Sequence, residues 1–321
     1  MDKKRIAYLD FIKVLAMFIV TIGHCAQALS LQTFPDKLIP NDFFVTIHMP
    51  LFMIASGFVL NFDKIRDTLT KDYIYNKFTR LIIPFISWFL IYSIVTINIP
   101  SFNSFFYTYW YLLALFFSLV IIKFFSSFIK SNLLLIITTL LFVLIIPITR
   151  ISHINFMFPF LIYGYLLKKF IDRLNFVYFI PLGILFVILY ICYWGITFTV
   201  YKAPLDVLNL DSNMLYSFML RLIIGIVGST FVFLLVKRYN NTPFVEKIAK
   251  YGKYTLVFYT MTTVINGFTN RFLSFIDYNI TNPYLLDVAS IIFSMLQMFI
   301  IYWFAKLVEK KKMLSKLLLG D

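Results

Sequence analysis

The sequence predicts an all-α, polytopic membrane helix bundle with about ten transmembrane helices, and three observations lead to this class. Of the 321 residues, 61% are hydrophobic and 14% are charged, whereas about 25% of a typical soluble chain is charged. The mean hydropathy is +0.85. Phe, Tyr and Trp make up 20% of the chain, which suits lipid contact and the aromatic belts at membrane interfaces. These values exclude a soluble globule, a disordered chain and a collagen-like repeat.

Ten apolar runs approach the roughly 20 residues that a helix needs to span a bilayer. They cover residues 6–29, 43–62, 81–99, 107–125, 132–148, 155–170, 176–198, 213–236, 254–273 and 283–305. The sixth run is short, and the longest segment between two runs covers only residues 63–80. We therefore expect residues 1–321 to form a single integral membrane domain without a soluble domain.

The basic residues are distributed unevenly between the loops that join these runs. The formal charge is +14, from 29 Lys and Arg against 15 Asp and Glu. With a cytoplasmic N-terminus, 23 basic residues fall in cytoplasmic segments, two lie within helices, and four fall outside: Lys37, Arg150, Lys202 and Arg271. The positive-inside rule then predicts cytoplasmic N- and C-termini and a multi-pass protein of the cell membrane. It also accounts for the basic charge without a nucleic-acid partner.

The first run carries ionisable residues, which are costly inside a membrane and commonly functional. Asp10 and Lys13 are three residues apart and can form an ion pair near the cytoplasmic end. His24 follows Lys13 by 11 residues, which returns it to nearly the same helix face about 16 Å further along. We predict Asp10, Lys13 and His24 as catalytic residues. A structural ion pair and a hydrogen-bonded structural histidine are the alternatives.

Further candidates follow in the second run and in the segment after it. His48 lies near the predicted outer end of its run, before Pro50 and a close-packing surface at Ser56-Gly57, and is the second candidate catalytic histidine. Lys77 and Arg80 are one turn apart at the cytoplasmic membrane rim, where they can bind an anionic ligand or serve as topological anchors.

Two later helices also carry unusual polarity. Arg221 lies within the eighth run, where a buried guanidinium requires a partner from another helix or from a bound substrate. The ninth run carries Thr255, Thr260, Thr262, Thr263 and Asn266, which favours a helix that lines a cavity or forms hydrogen bonds in the bundle core. The two cysteines, Cys25 and Cys192, show no disulfide or metal-binding spacing, and no metal is expected.

Six segments occur in the order typical of the acyltransferase 3 family. They read LDFIKVLAMFIVTIGH, HMPLFMIASGF, KFTRLIIPF, YWYLLALFFSLVI, FPFLIYGYLLKK and YGKYTLVFYT. The chain resembles this family over about residues 6–305, and within it the branch of fucose 4-O-acetylases. In the family's first-helix motif an arginine precedes the histidine by 11 positions, and Lys13 replaces that arginine here. The histidine that often ends the family's C-terminal motif is missing after Tyr259.

The resemblance implies transfer of an acyl group, usually acetyl, from cytoplasmic acetyl-CoA to a hydroxyl of an extracytoplasmic glycan such as capsule or exopolysaccharide. His24 then suits the general base, and Lys77 and Arg80 the anionic donor. Trp110 and Tyr111 suit an aromatic platform for the sugar, although an interfacial aromatic belt is the alternative. A glycan exporter or flippase and a structural partner of a biosynthetic complex are the competing functions. The oligomeric state is not predicted.

Overall fold

The computed structural model describes residues 6–32, 43, 46–97, 102–145, 153–194 and 212–320. These residues form helices and, within the ranges given, no strand, so the all-α prediction is confirmed for them. The helices are α1 (Ala7–Ser30), α2 (His48–Phe58), α3 (Phe62–Asp67), α4 (Thr70–Lys77), α5 (Ile83–Val95), α6 (Phe102–Thr108), α7 (Trp110–Ser126), α8 (Asn132–Ile145), α9 (Ile154–Phe170), α10 (Phe179–Leu189), α11 (Ser212–Arg238), α12 (Pro243–Ala249), α13 (Thr255–Phe275), α14 (Pro283–Glu309) and α15 (Lys312–Leu314).

Among the described residues, five helical stretches are long and apolar enough to cross a membrane, namely Ala7–Ser30, Thr70–Val95, Phe176–Tyr193, Ser212–Arg238 and Pro283–Glu309. Large apolar side chains such as Ile184 and Phe299 are exposed on them, as expected for lipid contact. The protein is therefore a membrane helix bundle. The count of ten spans and the cytoplasmic termini stay predictions. Lys37, Arg150 and Lys202 of the predicted outer loops lie outside the described residues.

Two of the predicted continuous runs are interrupted. The run at 43–62 contains α2, which ends at Phe58, and a new helix begins after Asn61, whose side chain accepts a hydrogen bond from the Lys64 backbone amide. The run at 107–125 is divided at Tyr109, between α6 and α7. Residues Phe78–Ile82 form a π-helical turn between α4 and α5. An N-cap asparagine explains the first break, because it offers the backbone an alternative to continuing the previous helix.

The helices divide into two compact units. The first unit comprises Met1–His48, Thr79–Tyr109 and Thr242–Asp321, and the second comprises Met49–Phe78 and Trp110–Asn241. The expectation of a single domain over residues 1–321 stays a prediction.

In the first unit, α1 is the central helix and packs against α12, α13 and α14. The 3₁₀ helix Lys250–Tyr254 also approaches α1 so closely that a Cβ atom on Gly252 would lie 2.5 Å from Cβ of Asp10. The C-terminal π-helical segment Ser315–Leu319 packs on α5, where the Trp88 indole donates a 2.9 Å hydrogen bond to the Leu318 carbonyl. This unit therefore surrounds α1 along much of its length.

In the second unit, α2 and α9 are in backbone contact. A Cβ atom on Gly57 would lie 1.9 Å from the Leu161 carbonyl oxygen, and one on Gly164 would lie 2.1 Å from the Ile54 carbonyl oxygen. Only glycine permits this approach at either position. The close-packing surface predicted at Ser56-Gly57 is confirmed.

Candidate functional site

A polar cavity of about 410 Å³ lies in the first unit, next to the end of α1 that carries Ser30. Its walls come from the C-terminal part of α1 with the two residues that follow it, from α5 and from α13. The lining residues are His24, Gln27, Ala28, Leu31, Gln32, Tyr92, Thr263, Asn266, Gly267 and Asn270. Apart from the titratable His24, none of these ten residues carries a charge. The cavity thus offers neutral hydrogen-bonding groups around one imidazole.

His24 is exposed to this cavity, and its ring is held by Gln27 on the next turn of α1. The His24 Nδ1 atom lies 3.0 Å from the Gln27 Oε1 atom. An amide oxygen only accepts hydrogen bonds, so this contact requires the proton of the neutral imidazole on Nδ1. The Nε2 atom then keeps its lone pair, and the imidazole can take a proton from a bound hydroxyl group.

The inner wall of the cavity is a hydrogen-bonded network that joins α1, α13 and α14. Asn266 accepts a hydrogen bond from the Gln297 side-chain amide at 2.7 Å and one from the Cys25 thiol at 3.7 Å. One turn nearer the start of α13, Thr262 contacts Thr21 of α1, with 3.5 Å between their hydroxyl oxygens. Polar residues of the ninth run therefore do both things that the sequence allowed: some line a cavity, and some form hydrogen bonds in the bundle core.

A third wall is formed where α13 approaches α5. A Cβ atom on Gly267 would lie 2.8 Å from the Tyr92 ring and from the Thr96 methyl group, so this wall depends on a glycine. The Arg271 guanidinium donates a hydrogen bond to the Thr96 carbonyl at the end of α5. The close approach at Gly267 and the hydrogen bond from Arg271 thus hold α13 against α5 where Tyr92 lines the cavity.

Asp10 and Lys13 form the predicted ion pair, with 3.2 Å between Lys13 Nζ and Asp10 Oδ1. Asp10 is buried, with 5% of its surface exposed. Neither residue lines the cavity, because the 11 residues from Lys13 to His24 correspond to about 16 Å along the helix axis. The structure thus separates the pair from the imidazole.

His48, the second candidate histidine, is the first residue of α2 and is buried, with 7% of its surface exposed. It is not among the residues that line the cavity around His24. The structure therefore gives only one of the two predicted catalytic histidines access to this space.

Of the two predicted donor-binding residues, one precedes the π-helical turn and the other lies within it. Lys77 ends α4 and is half-buried, with its ammonium group 5.4 Å from the centre of the Tyr73 ring. Arg80 lies within the π turn and is exposed. The C-terminal segment contacts its backbone, because a Cβ atom on Gly320 would lie 2.4 Å from the Arg80 carbonyl oxygen. The prediction that Lys77 and Arg80 lie one turn apart assumed a regular α-helix, and the structure has a wider π-helical turn there.

The predicted substrate-binding residues lie in the second unit. Arg221 is buried, with 3% of its surface exposed, and has an interaction partner. Tyr111 is also buried, with its hydroxyl 3.4 Å from the Ser56 hydroxyl. Trp110 is half-buried and lies edge-on to the His153 ring, 5.0 Å between centroids. None of the three lines the cavity around His24.

Sequence reasoning did not identify Gln27, Gln297 or Lys123. Gln27 lies one turn beyond His24, and Gln297 is an amide within the last apolar run, so helical spacing and buried polarity were the available signals. Lys123, one of the 23 basic residues counted above for the predicted cytoplasmic segments, is buried in α7, with 2% of its surface exposed. Its ammonium group donates to the carbonyls that end α3, those of Ile65, Arg66 and Thr68.

Within the described ranges, no group of three or more His, Cys, Asp or Glu side chains is arranged to hold a metal ion.

Comparison with known proteins places these features in a family. No curated protein and no solved structure matches the chain. The family model of the acyltransferase 3 family, described as an acyltransferase domain, matches residues 6–303. Members of this family are membrane O-acyltransferases. Because the match covers most of the 321 residues, the chain belongs to the acyltransferase 3 family.

Proposed function

We propose that this membrane acyltransferase moves an acetyl group from cytoplasmic acetyl-CoA to a hydroxyl group of an extracytoplasmic glycan, with His24 as the general base. The observation that carries this proposal is the polar cavity around His24, in which Gln27 orients the imidazole with Nε2 as a proton acceptor. A glycan of the capsule or of an exopolysaccharide is the acceptor class, as in the fucose 4-O-acetylase-like branch that the sequence resembles.

The cavity chemistry suits a sugar hydroxyl. Amide, hydroxyl and phenol groups both donate and accept hydrogen bonds, so they match the hydroxyl groups of a neutral sugar. The cavity volume of about 410 Å³ lies within the roughly 300–1,000 Å³ range of small-molecule sites. His24 takes the proton of the attacking hydroxyl as its oxygen bonds to the acyl carbon, and the thiolate of coenzyme A leaves.

The acyl donor approaches from the opposite side of the membrane in this proposal. The excess of basic residues in the predicted cytoplasmic segments favours a cytoplasmic N-terminus, so that His24 lies towards the outer face. Arg80 is exposed at the predicted cytoplasmic rim, where it can pair with a phosphate group of the donor, and Lys77 precedes it on the same helical stretch.

The test compares His24→Ala with His48→Ala in purified protein supplied with acetyl-CoA labelled in its acetyl group. Transfer to a fucose-terminated oligosaccharide and release of labelled acetate to water are both measured. We expect His24→Ala to lower the rate by about 10²–10⁴-fold, the usual contribution of a positioned acid–base group, while donor binding persists. His48→Ala should cause a smaller loss, since His48 does not line the cavity.

Two results would contradict the proposal. If folded His48→Ala abolished transfer while His24→Ala stayed active, the roles of the two histidines would be exchanged. If both variants transferred acetyl normally, histidine catalysis would be wrong, and a role in glycan export would become the better explanation.

A further inference from the structure

The side chain of Asn266 is fixed in the cavity wall by residues of two other helices. Only 6% of Asn266 is exposed, and its Oδ1 atom accepts from Gln297 Nε2 of α14 at 2.7 Å. The Cys25 thiol of α1 points to the same oxygen at 3.7 Å, and a thiol donates only to an acceptor atom. Both contacts are made by the oxygen of the amide, so its nitrogen is directed away from these two partners.

The Asn266 Nδ2 atom is buried and has no hydrogen-bond acceptor among the residues that the structure describes. An unsatisfied buried donor costs about 1–3 kcal/mol, so its presence in a folded protein calls for an explanation, and contact with a ligand is one. Gln297, which holds the amide in place, is itself only 1% exposed. The donor therefore belongs to a side chain that lines the cavity, is fixed by two contacts and is shielded from bulk water.

Acyl transfer creates a need for such a donor. When a hydroxyl attacks the thioester carbonyl, the carbonyl oxygen gains a full negative charge, and pre-oriented donors in a shielded site stabilise it. The lining residues include no Lys or Arg that could supply this stabilisation. The Thr263 hydroxyl of the same wall already donates to the Tyr259 carbonyl at 3.2 Å.

We propose that Asn266 donates a hydrogen bond from Nδ2 to the acyl carbonyl oxygen in the transition state, and that Gln297 is a positioning residue for it. This inference rests on the proposed function. His24 Nε2 takes the hydroxyl proton, the hydroxyl oxygen bonds to the acyl carbon, and the carbonyl electron pair moves onto the oxygen that Asn266 holds. Collapse of this intermediate breaks the C–S bond, and the leaving thiolate recovers the proton from His24, which gives the ester and free coenzyme A.

The decisive variant is Asn266→Asp, which keeps an oxygen for Gln297 and Cys25 and removes the nitrogen donor. We expect kcat to fall by about 10²–10³-fold, as for loss of one oxyanion donor, with the KM for acetyl-CoA changed by less than about twofold. Release of acetate to water should fall by the same factor as transfer, because both reactions pass through the same oxyanion. Asn279→Asp makes the same chemical change at an exposed position outside the cavity and should leave both rates unaltered.

Gln297→Met tests the same arrangement without touching the donor. It removes the fixing hydrogen bond while filling the same volume, and we expect kcat to fall about tenfold, the equivalent of one ordinary hydrogen bond. This variant decides the question if Asn266→Asp does not fold, as judged by gel filtration in detergent.

Distinct outcomes overturn the inference. If folded Asn266→Asp kept its kcat, Asn266 would be a structural residue. If transfer fell while acetate release did not, Asn266 would bind the acceptor sugar instead. In either case His24→Ala still reports separately on the proposed base, so a failure here is distinguishable from a failure of the proposed function.

Discussion

Lys123 in the second unit and Asn266 in the first unit are both polar side chains buried between apolar helices, and they differ in how their hydrogen bonds are completed. The Lys123 ammonium group has three donors and lies 2.9, 3.4 and 2.7 Å from three backbone carbonyl oxygens. Asn266 uses its oxygen twice and leaves its nitrogen without an acceptor in the described part of the chain.

The difference separates the structural role of Lys123 from the catalytic role proposed for Asn266. The three carbonyls bound by Lys123 end a short helix and would otherwise be unsatisfied, so the lysine completes the fold. Asn266 lines a cavity and leaves its amide nitrogen without an acceptor in the described part of the chain, and the proposed contact with the acyl carbonyl oxygen rests on these two features. Burial alone, which is similar for the two residues, does not distinguish the roles. The roles are distinguished by whether each donor atom of the side chain has an acceptor.

The largest effect on stability is expected for Lys123→Met, which keeps the chain length and removes the ammonium group. Three carbonyls at the end of α3 would lose a charged donor, and we expect the free energy of unfolding to fall by about 2–4 kcal/mol. Thermal unfolding in detergent measures this change. The activity of the remaining folded protein should match that of the parent.

Lys130→Met provides the matched control, because Lys130 is exposed and follows α7 closely in sequence. Its unfolding temperature should stay near that of the parent, since surface substitutions change stability by less than about 0.5 kcal/mol. If Lys123→Met instead unfolded like the parent and lost activity, the contrast between the two polar sites would be wrong.

A smaller effect, on rate and not on stability, is expected for Gln27→Leu. Without the Gln27 oxygen the imidazole proton is no longer held on Nδ1, and the form with Nε2 protonated cannot act as the base. We expect kcat to fall about tenfold, corresponding to one hydrogen bond of roughly 1.4 kcal/mol, with the donor KM unchanged. Steady-state release of labelled acetate measures both constants.

Gln27→Glu is the rescue variant for this change, because a carboxylate oxygen can accept from Nδ1 as the amide oxygen does. Retention of most of the rate in Gln27→Glu, together with its loss in Gln27→Leu, would assign Gln27 to orientation of His24. Equal losses in the two variants would show that the amide itself contacts the substrate.

Local patterns predicted those parts of the structure that depend on spacing within one helix. The all-helical class followed from composition, and the Asp10–Lys13 pair followed from its three-residue spacing. The polarity of one apolar run predicted a helix that lines a cavity, as observed for α13. Each of these features is set by the helical period and by the cost of polar groups among apolar ones.

Contacts between distant segments could not be predicted in this way. Asn266 meets Gln297 across 31 residues and Cys25 across 241, and no periodicity within one helix brings such groups together. The contacts of Lys123 were not predicted for the same reason, because its partners are carbonyls at the end of a short helix 55–58 residues earlier. The break after α2 depends on the N-cap Asn61. An asparagine inside an apolar run does not by itself reveal whether its side chain caps a new helix or the previous helix continues through it.

The smallest change in stability and activity is expected for Lys13→Arg. Together with Lys13→Met, this variant tests whether the Asp10–Lys13 pair is structural, as Lys123 is, or part of the proposed catalytic machinery. Arginine keeps the positive charge three residues from Asp10 and restores the family's residue, so stability should change by less than about 0.5 kcal/mol and activity should be kept or raised. Lys13→Met removes the cation 3.2 Å from a buried carboxylate, and we expect it to lose activity. Thermal unfolding and acetyl transfer, measured on both variants, distinguish a structural role of the ion pair from a catalytic one.

A Lys13→Met variant that lost stability alone would group the pair with Lys123, because a structural cation stabilises the folded state and takes no part in the reaction. Loss of rate at unchanged stability would group the pair with His24 as part of the catalytic machinery. Because about 16 Å of helix separates Lys13 from His24, Lys13 would then act on the acyl donor and not on the acceptor hydroxyl.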